Sequence, residues 1–205
     1  MNRIITDHAS SRAFNPSLIQ SMYHLRDRVF RERLGWDVTS IDGKEKDSFD
    51  EINPVYMMSC NYKKQLEGCW RILPTTGPNM LKDIFPQLLR GEELPQDPHI
   101  WELSRLAVEP HIRHSVIKGN VNEVTFGMFR QIYDYGIQNN IKSYVAVTSA
   151  PMERMLRMAG IPTRRFGDGK LTRIGKVMSL CVWIDVDDRL RDAVYGPFIN
   201  EKEAA

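Results

Sequence analysis

Between Ile100 and Val108 the chain reads Ile-Trp-Glu-Leu-Ser-Arg-Leu-Ala-Val. The run is mostly apolar and bounded by Pro95, Pro98 and Pro110, so it is expected to be a strand. Inside it sit a carboxylate, Glu102, a hydroxyl, Ser104, and a guanidinium, Arg105. A charge taken out of water is costly unless it is paired or used. Two readings follow: a structural ion pair at a strand end, or groups held for chemistry. Side chains alternate along a strand, so Glu102 and Ser104 are expected on one face and Trp101, Leu103 and Arg105 on the other.

Other charges also fall on apolar patterns. Leu18, Ile19, Met22, Tyr23, Val29, Phe30 and Leu34 keep a helical period, and Arg26 lies one turn before Phe30 on that stripe. Arg71 stands in the apolar run Leu66 to Leu73. Between Trp36 and Pro54 the chain is polar and carries Glu45-Lys46-Asp47-Ser48-Phe49-Asp50. Such a segment reads as a solvated loop, but Trp36 and Phe49 argue that part of it folds back. His111 and His114 near Glu109 match no familiar metal spacing, so no metal site is expected there.

The elements that must position these groups follow from pattern. Residues 3 to 7 suit a first strand. Asn15-Pro16 opens a helix that Gly35 ends. Val55 to Tyr62 and Leu66 to Leu73 read as a hairpin, and Met80 to Leu89 as a short helix. After the central strand come a loop from Glu109 to Gly119 and a helix from Asn120 to Gly136. The helix start, with basic residues ahead of it, could hold an anion. Tyr144 to Thr148 reads as a buried strand, Pro151 opens a methionine-rich helix, Gly175 to Val186 is a long strand, and a last helix follows Asp187. Helices alternating with strands, plus one hairpin, argue one α/β layer domain with a mixed sheet.

The bulk numbers agree. The chain has 205 residues, of which 42% are hydrophobic and 26% charged, enough for one domain with a real core. A net charge of +2 gives no reason to expect nucleic acid as a partner. Cys60, Cys69 and Cys181 lie in apolar runs without paired spacing and read as buried thiols of a reducing compartment. No apolar run reaches the roughly 20 residues of a membrane span, so a soluble cytoplasmic protein is expected.

Several ordered motifs together resemble one family, the acyl-homoserine-lactone synthases (LuxI-type autoinducer synthases). Arg26 with Phe30 and Trp36, Glu45-x-Asp47-x-Phe49-Asp50, Gly68-Cys69-Trp70-Arg71, Thr75-Thr76-Gly77-Pro78-x-Met80-Leu81, Trp101 to Arg105, and Met152-Glu153-Arg154 carry the likeness, which runs from about Arg26 to Tyr195. The resemblance implies a fold like the GCN5-type N-acetyltransferases. It also implies one synthase domain that joins S-adenosylmethionine, a substrate rather than a cofactor, to a fatty acyl group on acyl carrier protein. The methionine amine attacks the thioester; the methionine carboxylate then closes the lactone and expels methylthioadenosine.

The resemblance assigns Glu102 as the base, with Ser104 and Arg105 beside it. It places Arg26, Phe30, Trp36, Asp47, Asp50, Arg71 and Arg105 on the adenosylmethionine side. It places Leu103, Phe126, Phe129, Val147, Thr148, Met152, Met155 and Leu156 along the acyl chain. Thr148 matches a position where threonine goes with 3-oxo chains. Carrier protein is acidic, which makes Arg154 and Arg157 docking candidates, although Met158 stands where the family has a basic residue. On composition, the basic run from Arg154 to Arg173 reads as solvated surface. Two other functions fit the sequence less well. A coenzyme A-dependent acetyltransferase would want a glycine-rich loop before the long helix, and only Gly119 stands there. A non-catalytic binding module would leave Arg26, Arg71, Glu102 and Arg105 unexplained.

Overall fold

The computed structural model describes residues 2–109, 116–118 and 121–199. In chain order the strands are β1 Arg3–His8, β2 Ser40–Ile41, β3 Lys44–Glu45, β4 Val55–Cys60, β5 Leu66–Pro74, β6 Ile100–Val108, β7 Val116–Lys118, β8 Val121–Asn122, β9 Ser143–Ser149, β10 Arg164–Arg165, β11 Thr172–Ile174 and β12 Val177–Asp185. The helices are α1 Pro16–Asp27, α2 Met80–Asp83, α3 Glu123–Gln138, α4 Ala150–Ala159 and α5 Asp188–Ile199. The main sheet runs β1-β4-β5-β6-β9-β12-β10, with β11 also on β12. All its pairs are antiparallel except β6 with β9.

The helices begin where their caps are. The Asn15 side chain accepts from the Leu18 N–H, with Pro16 following. Asn122 does the same for Thr125, and Ser149 for Met152. α3 therefore starts at Glu123, three residues later than expected from Asn120, and the basic loop proposed as its anion site lies largely outside the described residues. The expected helix Met80 to Leu89 is α2 followed by a 3₁₀ turn over Pro86–Leu89. Pro86 has no N–H for an α-helix to use.

One sheet face carries α1 and the π-helical turn Arg28–Arg33 that continues it: Met22, Tyr23, Leu25, Val29 and Phe30 pack on Tyr56, Met58, Cys69 and Ala107. The other carries α3, α4 and α5, with Val124, Phe126, Phe129 and Leu156 among Trp70, Ile72, Leu103 and Ala146. Two features of the sheet create the site. First, β6 and β9 pair only from Ile100/Ser143 to Leu103/Ala146. Past that point β6 continues with β5 and β9 with β12, and the two central strands part. Second, the β5–β6 register slips between Cys69 and Arg71: Ala107 pairs with Cys69, but Ser104 pairs with Arg71. Two residues of β6 thus oppose Trp70, and Arg105 sits in the left-handed region at φ 61°.

Candidate active site

The bulge overturns the expected alternation. Ser104 and Arg105 point consecutively toward the α1 face, instead of Arg105 turning to the opposite side with Leu103. The Ser104 hydroxyl accepts from Arg71 Nε at 3.1 Å, while the Arg105 guanidinium lies 5.6 Å from the Phe30 ring centre. Arg105 Nε reaches Glu45 at 3.0 Å, and its Nη2 reaches Asp47 at 2.9 Å. Strand periodicity fails here because an extra residue is inserted, and the extra residue brings a third guanidinium into the cluster.

Three elements supply the rest. α1 delivers Arg26, which is fully buried and grips Glu45 through Nε (2.5 Å) and Asp50 through both terminal nitrogens (2.7 and 2.9 Å). The segment after β3 delivers Asp47 and Asp50. Asp47 caps the 3₁₀ turn Ser48–Asp50, and Asp50 bonds back to the Asp47 N–H, so a capping box fixes both carboxylates. β5 delivers Arg71, which bonds Asp47 at 2.5 and 3.0 Å and Asp50 at 2.9 Å. The expectation of a loop folding back holds: Phe49 is buried beneath Arg71, whose guanidinium lies 5.4 Å from its ring centre.

Asp50 is the hub. One of its oxygens receives Arg26, Arg71 and the Tyr56 hydroxyl, the last at 2.7 Å. Although burial works against ionisation, Arg26 and Arg71 hold this carboxyl well below the usual range. Burial also pulls the Arg105 guanidinium below its ordinary value, against the attraction of Glu45. Asp47 and Arg105 keep 18% and 11% of their side chains exposed, whereas Arg26, Glu45, Asp50 and Arg71 keep 1% or less. Asp47 and Arg105 therefore form the open edge of the cluster, and the other four form its frame. Phe30 stacks on Trp36 at 5.1 Å beside that edge.

Glu102 lies at the back. Its two oxygens accept from the N–H groups of Met80 (3.0 Å) and Leu81 (2.7 Å), the first turn of α2. Complete burial pushes its carboxyl up to about 7, against those two hydrogen bonds and the charges of Arg71 and Arg105. The cluster thus sets three guanidiniums against four carboxylates, and Glu102 is the carboxylate poised to exchange a proton near neutrality. The sulfur of Met80 touches Arg71 at 3.3 Å and Arg105 at 3.4 Å.

The predicted acyl-chain residues divide. Leu103, Phe126, Phe129, Met155 and Leu156 share the core under α3 and α4, and Phe129 and Leu156 line a narrow apolar crevice there with Trp70 and Leu190. Thr148 follows Tyr144 and Ala146 on the same side of β9, in the part of that strand no longer paired with β6. Met152 is half-buried on the first turn of α4. Val147 does not join them. It faces the other side of the sheet with Leu81, Leu88 and Cys181, because its odd place on β9 turns it away. Arg154 and Arg157 are exposed on α4.

Glu45, Tyr56 and Met80 were not among the site residues expected from sequence. Glu45 and Met80 stand inside the quoted motifs, so their position was the available signal. Tyr56 carried none, being an aromatic residue in an apolar strand. Among the described residues no group of acidic, histidine or cysteine side chains is arranged to hold a metal.

A mixed sheet that parts between two parallel central strands, with a buried ion-paired cluster beside the split, gives the chain the fold of the N-acetyltransferase-like class. Within that class the chain belongs to the autoinducer synthase family, whose profile matches residues 10–194, and its activity is that of an acyl-homoserine-lactone synthase. An acyl-homoserine-lactone synthase of Pseudomonas aeruginosa is 39% identical over 194 residues, covering 94% of each chain. One from Aliivibrio fischeri is 40% identical over 170 residues, or 83% of this chain and 87% of that one. The crystal structure of the AHL synthase LasI superposes with a TM-score of 0.85 at 38% identity, covering 96% of this chain and 95% of that one.

Proposed function

We propose that this synthase acylates the amine of S-adenosylmethionine with a fatty acyl group carried on acyl carrier protein, and then closes the lactone. The observation that carries the reading is the convergence of Arg26, Glu45, Asp47, Asp50, Arg71, Arg105 and Glu102 in one largely buried cluster beside the β6–β9 split. In the first step the neutral amine attacks the thioester carbon, the carrier thiolate leaves, and the amine proton passes to Glu102, directly or through one water. Each Glu102 oxygen keeps a lone pair beyond its backbone bond. Ser104 positions that water. Amide N–H groups on the facing edges of β6 beyond Leu103 and β9 beyond Ala146 receive the thioester oxyanion. In the second step the methionine carboxylate oxygen attacks its own γ-carbon, and the carbon–sulfur bond breaks to release methylthioadenosine.

Arg105, at the open edge, grips the substrate carboxylate, while Asp47, Phe30 and Trp36 face the sulfonium. Arg26, Asp50 and Arg71 hold that edge in place. Leu103, Phe126, Phe129, Thr148, Met152, Met155 and Leu156 follow the acyl chain, with Thr148 bonded to a 3-oxo group. The whole chain, residues 1–205, works as one cytoplasmic domain. Two structural relatives bear on the substrates. TofI was solved in a ternary complex with an inhibitor and MTA, and at 29% identity superposes with a TM-score of 0.76. The CoA-dependent synthase BjaI, solved with SAM and isopentyl-CoA, shares the fold at 22% identity.

The test gives purified protein adenosylmethionine with either 3-oxo-acyl carrier protein or the matching acyl-coenzyme A. Methylthioadenosine release faster with the carrier supports the reading. Faster release with coenzyme A overturns the donor, and none with either overturns the proposal.

A further inference from the structure

A concavity lies away from the ion-paired cluster, between α1, β1 and the β4–β5 turn, and has a volume of about 650 Å³. Sites for small ligands commonly enclose roughly 300–1,000 Å³. Its rim carries Arg3, Lys64, His24 and Arg28, and no carboxylate is among its lining residues. Below them lie the less exposed Ile5, Leu18 and Leu66 and the buried Cys60, with Asn15, Ser17, Ser21, Asn61 and Gln65 also in the lining. Arg28 is held by Glu109 at 2.5 Å, and the adjoining Glu67 is buried and accepts from Asn2 at 2.7 Å. Arg3 and Lys64 are exposed and form no ion pair among the described residues, so they give the rim its uncompensated charge. His24 donates Nδ1–H to the Gly43 carbonyl at 2.8 Å, since a carbonyl only accepts.

A positive rim over less exposed apolar side chains suits a molecule with both characters. We propose that this groove is a second binding site, for a free amphipathic anion with a phosphate or carboxylate head and an apolar tail. The head sits between Arg3 and Lys64, and the tail lies along Ile5, Leu18 and Leu66. The inference stands apart from the synthase chemistry and does not rest on it.

Calorimetric titration of the full-length protein with monomeric decyl phosphate tests it. Arg3→Gln with Lys64→Gln is expected to raise the dissociation constant about tenfold, as loss of two exposed charge contacts implies. Inorganic phosphate is expected to bind at least as much more weakly, for want of a tail. Circular dichroism checks that the variant is folded; both positions are exposed, so their loss leaves the core intact. Its methylthioadenosine release should match the unsubstituted protein, which separates failure here from failure of the synthase reading. Equal affinity in the variant, no measurable binding, or equal binding of inorganic phosphate overturns the proposal. Binding to phosphatidylglycerol vesicles without binding monomeric decyl phosphate also overturns it, assigning the groove to a membrane surface.

Discussion

Glu102 shows how a single carboxyl can be both frame and reagent. Its bonds to the Met80 and Leu81 amides fix α2 against β6, while burial lifts its proton affinity to about 7. A base with that value is ionised above neutrality and protonated below it. The rate of methylthioadenosine release should therefore fall roughly tenfold per unit below about pH 6, and a pH–rate profile reads this directly. Glu102→Gln should lose most activity and the acid limb together. Stability carries the opposite sign. Because this carboxyl binds its proton more tightly folded than unfolded, its contribution shrinks as pH rises from about 4.5 through 7. Urea unfolding at pH 5 and pH 8 should show Glu102→Gln gaining about 2 kcal/mol on the parent between the two. No gain would mean the carboxyl titrates normally in the fold. At this scale the sequence was legible wherever a charge interrupted an apolar pattern: Arg26, Arg71 and Glu102 are all at 1% exposure or below. It was illegible for Tyr56, whose hydroxyl matters only through Asp50, a neighbour made by folding.

Elements explain the places where periodicity misled. Arg105 is not a glycine, so nothing in its type announced a positive φ, and the bulge is visible only in the register of β5 on β6. The family resemblance places Val147 beside the acyl chain together with Thr148, whereas a strand sends neighbours to opposite faces. Thr148 stands where β9 has parted from β6, on the side of the strand that carries Tyr144 and Ala146. Thr148→Val should lower turnover of 3-oxo donors several-fold relative to unsubstituted acyl donors, since a buried ketone would lose its partner. A donor profile left unchanged would remove Thr148 from specificity. Farther along, a latch ties the segment before β6 to β10 and β12 on the other face of the sheet. Glu92 receives Arg164, the Gly167 N–H and the Trp183 indole at 2.6, 2.9 and 2.9 Å, and Trp183 stacks on Phe166 at 4.7 Å. Gly167 has φ 50°, and a Cβ there would lie 2.1 Å from the Arg90 carbonyl oxygen. Backbone cannot move aside as a side chain can. Gly167→Ala should cost about 2–4 kcal/mol and lower the melting temperature by about 5–15 °C in a thermal scan.

Across the whole molecule the charge is sorted by face. The buried cluster lies against α1, while α4 and the β10–β11 segment present the basic run that composition reads as solvated surface. That reading holds: these basic side chains are all exposed, and Arg164 is paired with Glu92, Arg165 with Glu153 and Lys170 with Asp168. Arg154 and Arg157 have no such partner among the described residues, and Met158, 47% exposed, continues their side of α4. The residue that breaks the basic pattern therefore adds an apolar contact to a charged face, a combination suited to an acidic protein carrying its own apolar rim. An ion pair across such an interface is screened by salt and acts mainly on encounter. Arg154→Glu with Arg157→Glu should raise KM for the acyl carrier donor about tenfold while leaving kcat and the melting temperature near the parent values. The difference should narrow as salt is raised toward 0.5 M, about where the screening length falls below 5 Å. Steady-state kinetics at two salt concentrations reads both effects. A KM that does not move would place the carrier on another face.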